Sequence, residues 1–203
     1  MPEIPESDRY QTLAEPVSGV YKEKGSKFLS FAYPVSTEEQ IKDHLLEIKK
    51  AYADATHHCY AYRLGVDGTT WRANDDGEPT STAGKPILGQ LRSYQISDTL
   101  IIIVRYFGGV KLGVSGLINA YRQAAANALQ KSKIIIKYAQ TSATLRFPYL
   151  YMDAVMKLLK DFKASITAQQ GDEECELSFS IRRSLFPALS EKLYRIDPFM
   201  ITP

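Results

Sequence analysis

Three stretches of this chain gather side chains capable of chemistry. The first, Ala55-Thr56-His57-His58-Cys59-Tyr60, offers imidazole and thiol groups. Imidazole serves as acid, base, metal ligand or hydrogen-bond donor near neutral pH. If the run is extended, alternation puts His57 and Cys59 on one face and His58 and Tyr60 on the other. They then do not converge on one metal. Zinc would need further ligands, and the remaining candidates are His44, on a predicted helix, and the distant Cys175. No metal and no cofactor are expected.

The second stretch, Asn74-Asp75-Asp76-Gly77-Glu78-Pro79-Thr80-Ser81-Thr82-Ala83-Gly84-Lys85, combines three carboxylates, three hydroxyls and a lysine. Paired carboxylates can hold a hard cation or act as acid and base, and hydroxyls can take phosphate or cap a helix. The run lacks the alternating ligands and distant glutamate of an EF-hand. A set of Asx and Ser/Thr turns that close their own hydrogen bonds is the other reading of the same residues.

The third stretch is Arg105-Tyr106-Phe107-Gly108-Gly109-Val110-Lys111-Leu112-Gly113-Val114-Ser115-Gly116. Its glycines permit close backbone approach, and a helix opening near Ser115 offers unpaired N–H groups. Arg105 and Lys111 add positive charge, so anion binding is the natural inference. The run is neither a Walker A loop nor GxGxxG. If the glycines serve only tight turns and packing, Arg105 would instead pair with Asp75, Asp76 or Glu78.

These stretches need a scaffold, and the pattern of apolar residues supplies one. A hairpin is predicted from residues 17–22 and 28–35 around Lys24-Gly25-Ser26. Ser36 with Glu39 reads as a capping box, and Ile41, Leu45, Ile48 and Tyr52 form the apolar stripe of a helix ending near Asp54. Residues 58–65 and 70–73 read as a second hairpin around Val66-Asp67-Gly68-Thr69. A short helix is predicted over residues 86–93, a central strand over 99–106, and an alanine-rich helix from about Ser115 to Lys131. The pattern then restarts: a strand over 134–147, a helix over 149–162, strands over 164–169 and 175–181, and a helix opening at Ser184. With an extended tail over 198–203, this βαββα order predicts a ferredoxin-like domain. The expected domains are residues 1–132 and 133–203, both α+β.

Composition narrows the function classes. The net charge is +2, with 16 basic against 15 acidic residues through Lys133 and 9 against 8 beyond it. Neither half is a basic domain, so nucleic-acid binding would have to rest on a local patch. The opening MPEIPESDRY is acidic and polar, which predicts neither a signal peptide nor a membrane anchor. Two distant cysteines, Cys59 and Cys175, give no disulfide framework, and a cytoplasmic protein is expected.

The motifs ATHHCYAYRLG, NDDGEPTSTAGKPIL and VRYFGGVKLGVSGLINAYR together resemble the signature of the IMPACT family, over roughly residues 18 to 128. The resemblance implies a first domain like domain IV of elongation factor G, of βαβ type, and a ferredoxin-like second domain like its domain V. It also implies a link to translation control and nucleic-acid binding; eukaryotic members act in the amino-acid-starvation response. Positions matching the family motif are His57, His58, Asp75, Asp76, Glu78, Thr80, Ser81, Lys85, Arg105, Lys111 and Ser115, with no catalytic role implied for any.

Two functions of different class follow. One is a binding protein that grips RNA, or docks on the ribosome or a translation factor, through Lys85, Arg105, Lys111 and the helix N-terminus, with Tyr60, Tyr62 or Tyr106 for stacking. The other is an enzyme for a small phosphorylated or anionic substrate. It would use Asp75, Asp76 or Glu78 as magnesium ligands or base and His57 or His58 as acid. The resemblance favours binding; the sequence leaves oligomeric state open.

Overall fold

A computed structural model of the chain describes residues 8–197 and 199–202. Most of the acidic N-terminal opening and both prolines of the expected C-terminal tail, Pro198 and Pro203, lie outside the described residues. The chain divides into two compact units: residues 10–137, and the described residues from 138 onward together with Asp8 and Arg9.

In the first unit, β2 (Val17–Glu23) and β3 (Ser26–Pro34) form the expected hairpin. Its turn residues Lys24 and Gly25 have φ of 45° and 80°, the positive angles of the tight turn that suits strand twist. Helix α1 (Glu38–Ala51) follows. Its cap lies one residue later than the sequence pattern places it: Thr37, not Ser36, is extended and accepts from the Gln40 N–H, while Gln40 Oε1 accepts from Ser36 N–H. Strands β4 (His57–Leu64) and β5 (Thr70–Asn74), helix α2 (Gly84–Ser93), strand β6 (Thr99–Tyr106) and helix α3 (Gly113–Lys131) complete the unit.

These strands form one antiparallel sheet in the order β2-β3-β6-β4-β5. Strand β6 lies at its centre and is buried from Thr99 to Arg105, as an uninterrupted β-branched run requires. Leu100, Ile102 and Val104 pack toward Ile41 and Ile48 of α1. Ile101 and Ile103 pack on the other face, toward Ile87 and Leu91 of α2 and the alanines of α3. Three layers result, helix on sheet on helices, and Arg105 falls on the α2/α3 face because of its position in the alternation.

A strand the sequence pattern does not announce, β1 (Arg9–Leu13), pairs with β7 (Ile134–Tyr138) in a separate two-stranded ribbon. The single strand expected over 134–147 is thus two, β7 and β8 (Gln140–Pro148), broken at Ala139. The N–H of Ala139 donates to Asp8 O and its carbonyl accepts from Arg183 N–H, so its pairing leaves both ladders.

In the second unit, β8, α4 (Met152–Asp161), β9 (Ser165–Gln170), β10 (Glu174–Arg182), α5 (Phe186–Tyr194) and β11 (Met200–Thr202) build a sheet in the order β11-β8-β10-β9. With β8 counted first, this is the 4-1-3-2 order of the expected ferredoxin-like domain. Phe147, Phe162 and Phe179 are buried in its core. No helix among the described residues is long and apolar enough to cross a membrane.

Candidate functional site

Strand register assembles the site. Arg105 lies opposite Phe28 of β3 and His57 of β4, at the end of the central strand. Its guanidinium sits 5.5 Å from the Phe28 ring and 5.7 Å from the Phe107 ring. The Nη1 group donates to Glu78 Oε1 at 2.6 Å, so of the three carboxylates that could pair with Arg105, Glu78 does. Tyr121 of α3 donates its hydroxyl to the same oxygen at 2.7 Å. Arg105 and Glu78 side chains are 6% and 3% exposed. A charge pair this dry is held by its partners and not by water.

The network continues to Cys59, whose Sγ lies 3.0 Å from Asp75 O and 3.3 Å from the Tyr121 hydroxyl. Burial pushes the Cys59 thiol far above its ordinary pKa, and the charges of Glu78, Asp76 and Asp75 add to that against the opposing Tyr121 hydrogen bond. Burial likewise raises Tyr121, helped by Cys59 and Glu78. Both groups stay protonated, so Tyr121 remains a donor to Glu78 and Cys59 is no nucleophile.

The acidic loop folds onto itself. Asp75 Oδ2 accepts from Ser81 N–H at 2.8 Å, and Oδ1 from Ala83 and Gly84 N–H at 3.0 and 2.8 Å. It therefore caps α2, whose N-cap Ala83 has no side chain for the task. Asp76 Oδ2 accepts from His58 N–H at 2.7 Å, and Oδ1 lies 3.5 Å from Lys49 Nζ. Thr82 donates to Pro79 O at 2.6 Å. The Asx and Ser/Thr turn reading thus describes most of this loop.

The two histidines part as alternation requires. His58 Nε2 meets Tyr52 O at 3.0 Å, on the α1 side. His57 Nδ1 meets Asp76 O at 2.8 Å. A carbonyl only accepts, so Nδ1 carries a proton, and Nε2 is left 3.9 Å from Glu78 Oε1.

A pocket of about 420 Å³ opens over this network, between the end of β6 and the start of α3. Of the candidate residues it brings together His57, Glu78, Arg105 and Lys111. It does not bring in His58, Asp75, Asp76, Thr80, Ser81, Lys85 or Ser115, of which Thr80, Lys85 and Ser115 are exposed elsewhere on the surface. Sequence reasoning missed its apolar wall, formed by Phe107, Leu112, Val114 and Leu117. Phe107 and Val114 are 49% and 60% exposed. A large apolar residue just past the end of a buried strand is the signal that could have marked Phe107. The tyrosines expected to stack lie elsewhere: Tyr62 is buried and bonded to Glu38, and Tyr106 donates to Asp54.

The pocket's edge depends on glycine. A Cβ on Gly108 would collide with the Gly25 backbone, so the β6–α3 loop can cross the β2–β3 turn only without a side chain. Gly113, with φ of 72°, turns the chain into α3. No side chain caps that helix, and its first N–H groups have no intrahelical acceptor. Among the described residues no cluster of three or more His, Cys, Asp or Glu side chains is arranged to hold a metal.

The profile of the Impact N-terminal domain matches residues 24–129, which include the whole pocket. The chain belongs to the IMPACT family. It is 31% identical over 166 residues to the IMPACT family member YvyE of Bacillus subtilis (strain 168), covering 82% of this chain and 76% of that protein. It is 34% identical over 148 residues to the IMPACT family member YigZ of Escherichia coli (strain K12), covering 72% of each. A solved structure described as the crystal structure of an hypothetical protein superposes with a TM-score of 0.74 at 28% identity, over 96% of this chain and 97% of that one. The IMPACT match ends at residue 129, so it leaves the ferredoxin-like unit outside the family domain.

Proposed function

We propose that this IMPACT-family chain is a cytoplasmic RNA-binding protein linked to translation control, acting on RNA alone or within the ribosome. In this reading the pocket at the β6–α3 junction takes one nucleotide. One observation carries it: Lys111, the uncapped start of α3 and the half-exposed Phe107 all border the same pocket. A phosphate fits the helix start beside a lysine, and a base stacks on an exposed aromatic ring. Family membership supports the link to translation.

Arg105 has a different part from the one its charge suggests. With Nη1 bonded to Glu78, it neutralises the buried carboxylate that would otherwise repel a phosphate, and it orients the pocket floor. Phosphate contact falls to Lys111.

The test is anisotropy of labelled single-stranded RNA across a potassium chloride series, with the native chain, Lys111→Ala and Phe107→Ala. The expected result is binding that falls steeply with salt, weakens in both variants, and loses about one unit of salt slope in Lys111→Ala. No binding at low salt, or variants that bind as the native chain does, would overturn the proposal.

The His57 tautomer supports a second reading, an enzyme acting on a small anionic substrate. His57 borders the pocket with Nδ1 engaged by Asp76 O, which leaves Nε2, 3.9 Å from Glu78 Oε1, as its ring nitrogen for proton transfer. This reading rests on His57, since Asp75, Asp76 and Glu78 are engaged by the protein itself. A pH-dependent turnover of phosphorylated metabolites that is abolished in His57→Gln would favour it.

A further inference from the structure

We infer that the first unit has a second nucleic-acid contact surface away from the pocket, formed by β5 and α2, where Trp71 stacks a base of a single strand and Arg92 and Lys85 follow its backbone. The inference rests on the RNA reading above for the class of partner, and on separate residues for the surface.

Trp71 lies on β5, the edge strand of the sheet, and is 50% exposed. The Arg92 guanidinium sits 4.9 Å from the indole centroid. A packing role alone would bury the indole against the core, as Ala73 does on the same face of β5. Instead Arg92 covers part of the ring and leaves half of the residue to solvent. An indole with a guanidinium over one part and solvent over the rest offers a stacking platform for a base.

Cations dominate the elements that form this surface. Residues 70–74 and 84–94 contain no carboxylate, and Lys85 and Arg92 stand on α2, whereas Arg72, opposite Tyr62, faces the α1 side of the sheet. On α2, Lys85, Gly89 and Arg92 are exposed at spacings of four and three, which places them on one helix face spanning roughly 10 Å of its axis. A Cβ on Gly89 would meet nothing within 4 Å, so the middle of that face is an open shelf between two cations. Burial and then the charge of Arg92 lower the pKa of Arg63, against the opposing charge of Asp67. Of the acids nearest in the chain, Asp67 accepts from Thr69 and sets its charge against Arg63, Asp75 accepts from the α2 cap, and Asp76 accepts from His58. A polyanion with flat bases matches both features, and a protein partner would need acidic and aromatic groups in the same spacing.

Trp71 is the only tryptophan in the chain, so its fluorescence reports this surface alone. The experiment titrates the full chain with a single-stranded oligouridylate dodecamer. It reads Trp71 emission on unlabelled RNA and anisotropy on a fluorescein-labelled copy, for the native chain, Trp71→Ala, Trp71→Phe and Arg92→Ala. Thermal melts confirm that each variant is folded. The expected result is quenching of Trp71 along the anisotropy curve, with binding about tenfold weaker in Trp71→Ala, weaker in Arg92→Ala and largely kept in Trp71→Phe. An anisotropy curve without any change in Trp71 emission, and with Trp71→Ala and Arg92→Ala binding as the native chain does, would overturn this surface and leave RNA binding standing. No anisotropy change at low salt would remove the RNA reading and this surface with it.

Discussion

Glu78 accepts from Arg105 at 2.6 Å beneath the pocket, and less than a tenth of either side chain reaches solvent. Removing one partner leaves a buried charge alone, at a cost of about 3–5 kcal/mol. Arg105→Ala and Glu78→Ala should therefore each lower the urea midpoint sharply, while the paired Arg105→Met, Glu78→Leu chain should lose much less. A paired loss equal to the sum of the two single losses would show that the two residues do not act on each other. Because Arg105→Ala threatens the fold, it is a poor probe of ligand binding; Lys111 and Phe107 are better ones.

Asp75 holds three backbone N–H groups of the loop and the start of α2. Asp75→Ala should cost about 1–2 kcal/mol, at the upper end of helix-cap losses. Native-state hydrogen exchange at Ser81, Ala83 and Gly84 should rise with it, before any change elsewhere in the sheet. Unchanged protection at those amides would mean that the cap contributes nothing.

Much of this was legible from the sequence. The buried run of β6, the helical periods of α1 and α3, and the glycine loop between them follow from spacing alone, and they place Arg105 and Lys111 near one another. What spacing could not decide is which of three carboxylates Arg105 selects. That depends on the turn at Asp76 and Gly77, both at positive φ, which carries Glu78 back over the sheet. Tyr121 was legible as core but not as a donor to Glu78, because its hydroxyl reaches across from another layer. The break at Ala139 had no local signal: no glycine or proline stands between Lys133 and Phe147. Strand β1 was unreadable for a similar reason, since its pairing partner lies on the far side of the sequence.

Neither thiol should react in the folded chain. Cys59 is fully buried and its thiol is held protonated by burial, and Cys175 is 1% exposed. Labelling by Ellman's reagent should proceed only as fast as the chain opens, and both cysteines should label at once in denaturant. Rapid labelling of Cys59 in native buffer would contradict the buried Cys59–Tyr121–Glu78 network.

In the second unit, the Ser184 N–H donates to Asp8 Oδ2 at 2.6 Å, and Arg182 Nε lies 3.4 Å from the same oxygen. Burial alone would raise the Asp8 carboxyl, but the Ser184 hydrogen bonds and the Arg182 charge outweigh it and hold the pKa below the ordinary value. A carboxyl whose folded pKa is depressed stabilises the fold above its unfolded pKa, about 3.9. That contribution is lost as pH falls from there through the lower folded value. Urea midpoints of the native chain should therefore fall across this acid window, and Asp8→Asn should be less stable at neutral pH and show a flatter acid limb. Hydrogen exchange at Ser184 locates the effect: its amide should lose protection as Asp8 is protonated. If Asp8→Asn and the native chain trace parallel curves from neutral pH into acid, the carboxylate carries no stability there, and the Ser184 contact is geometry without energetic consequence.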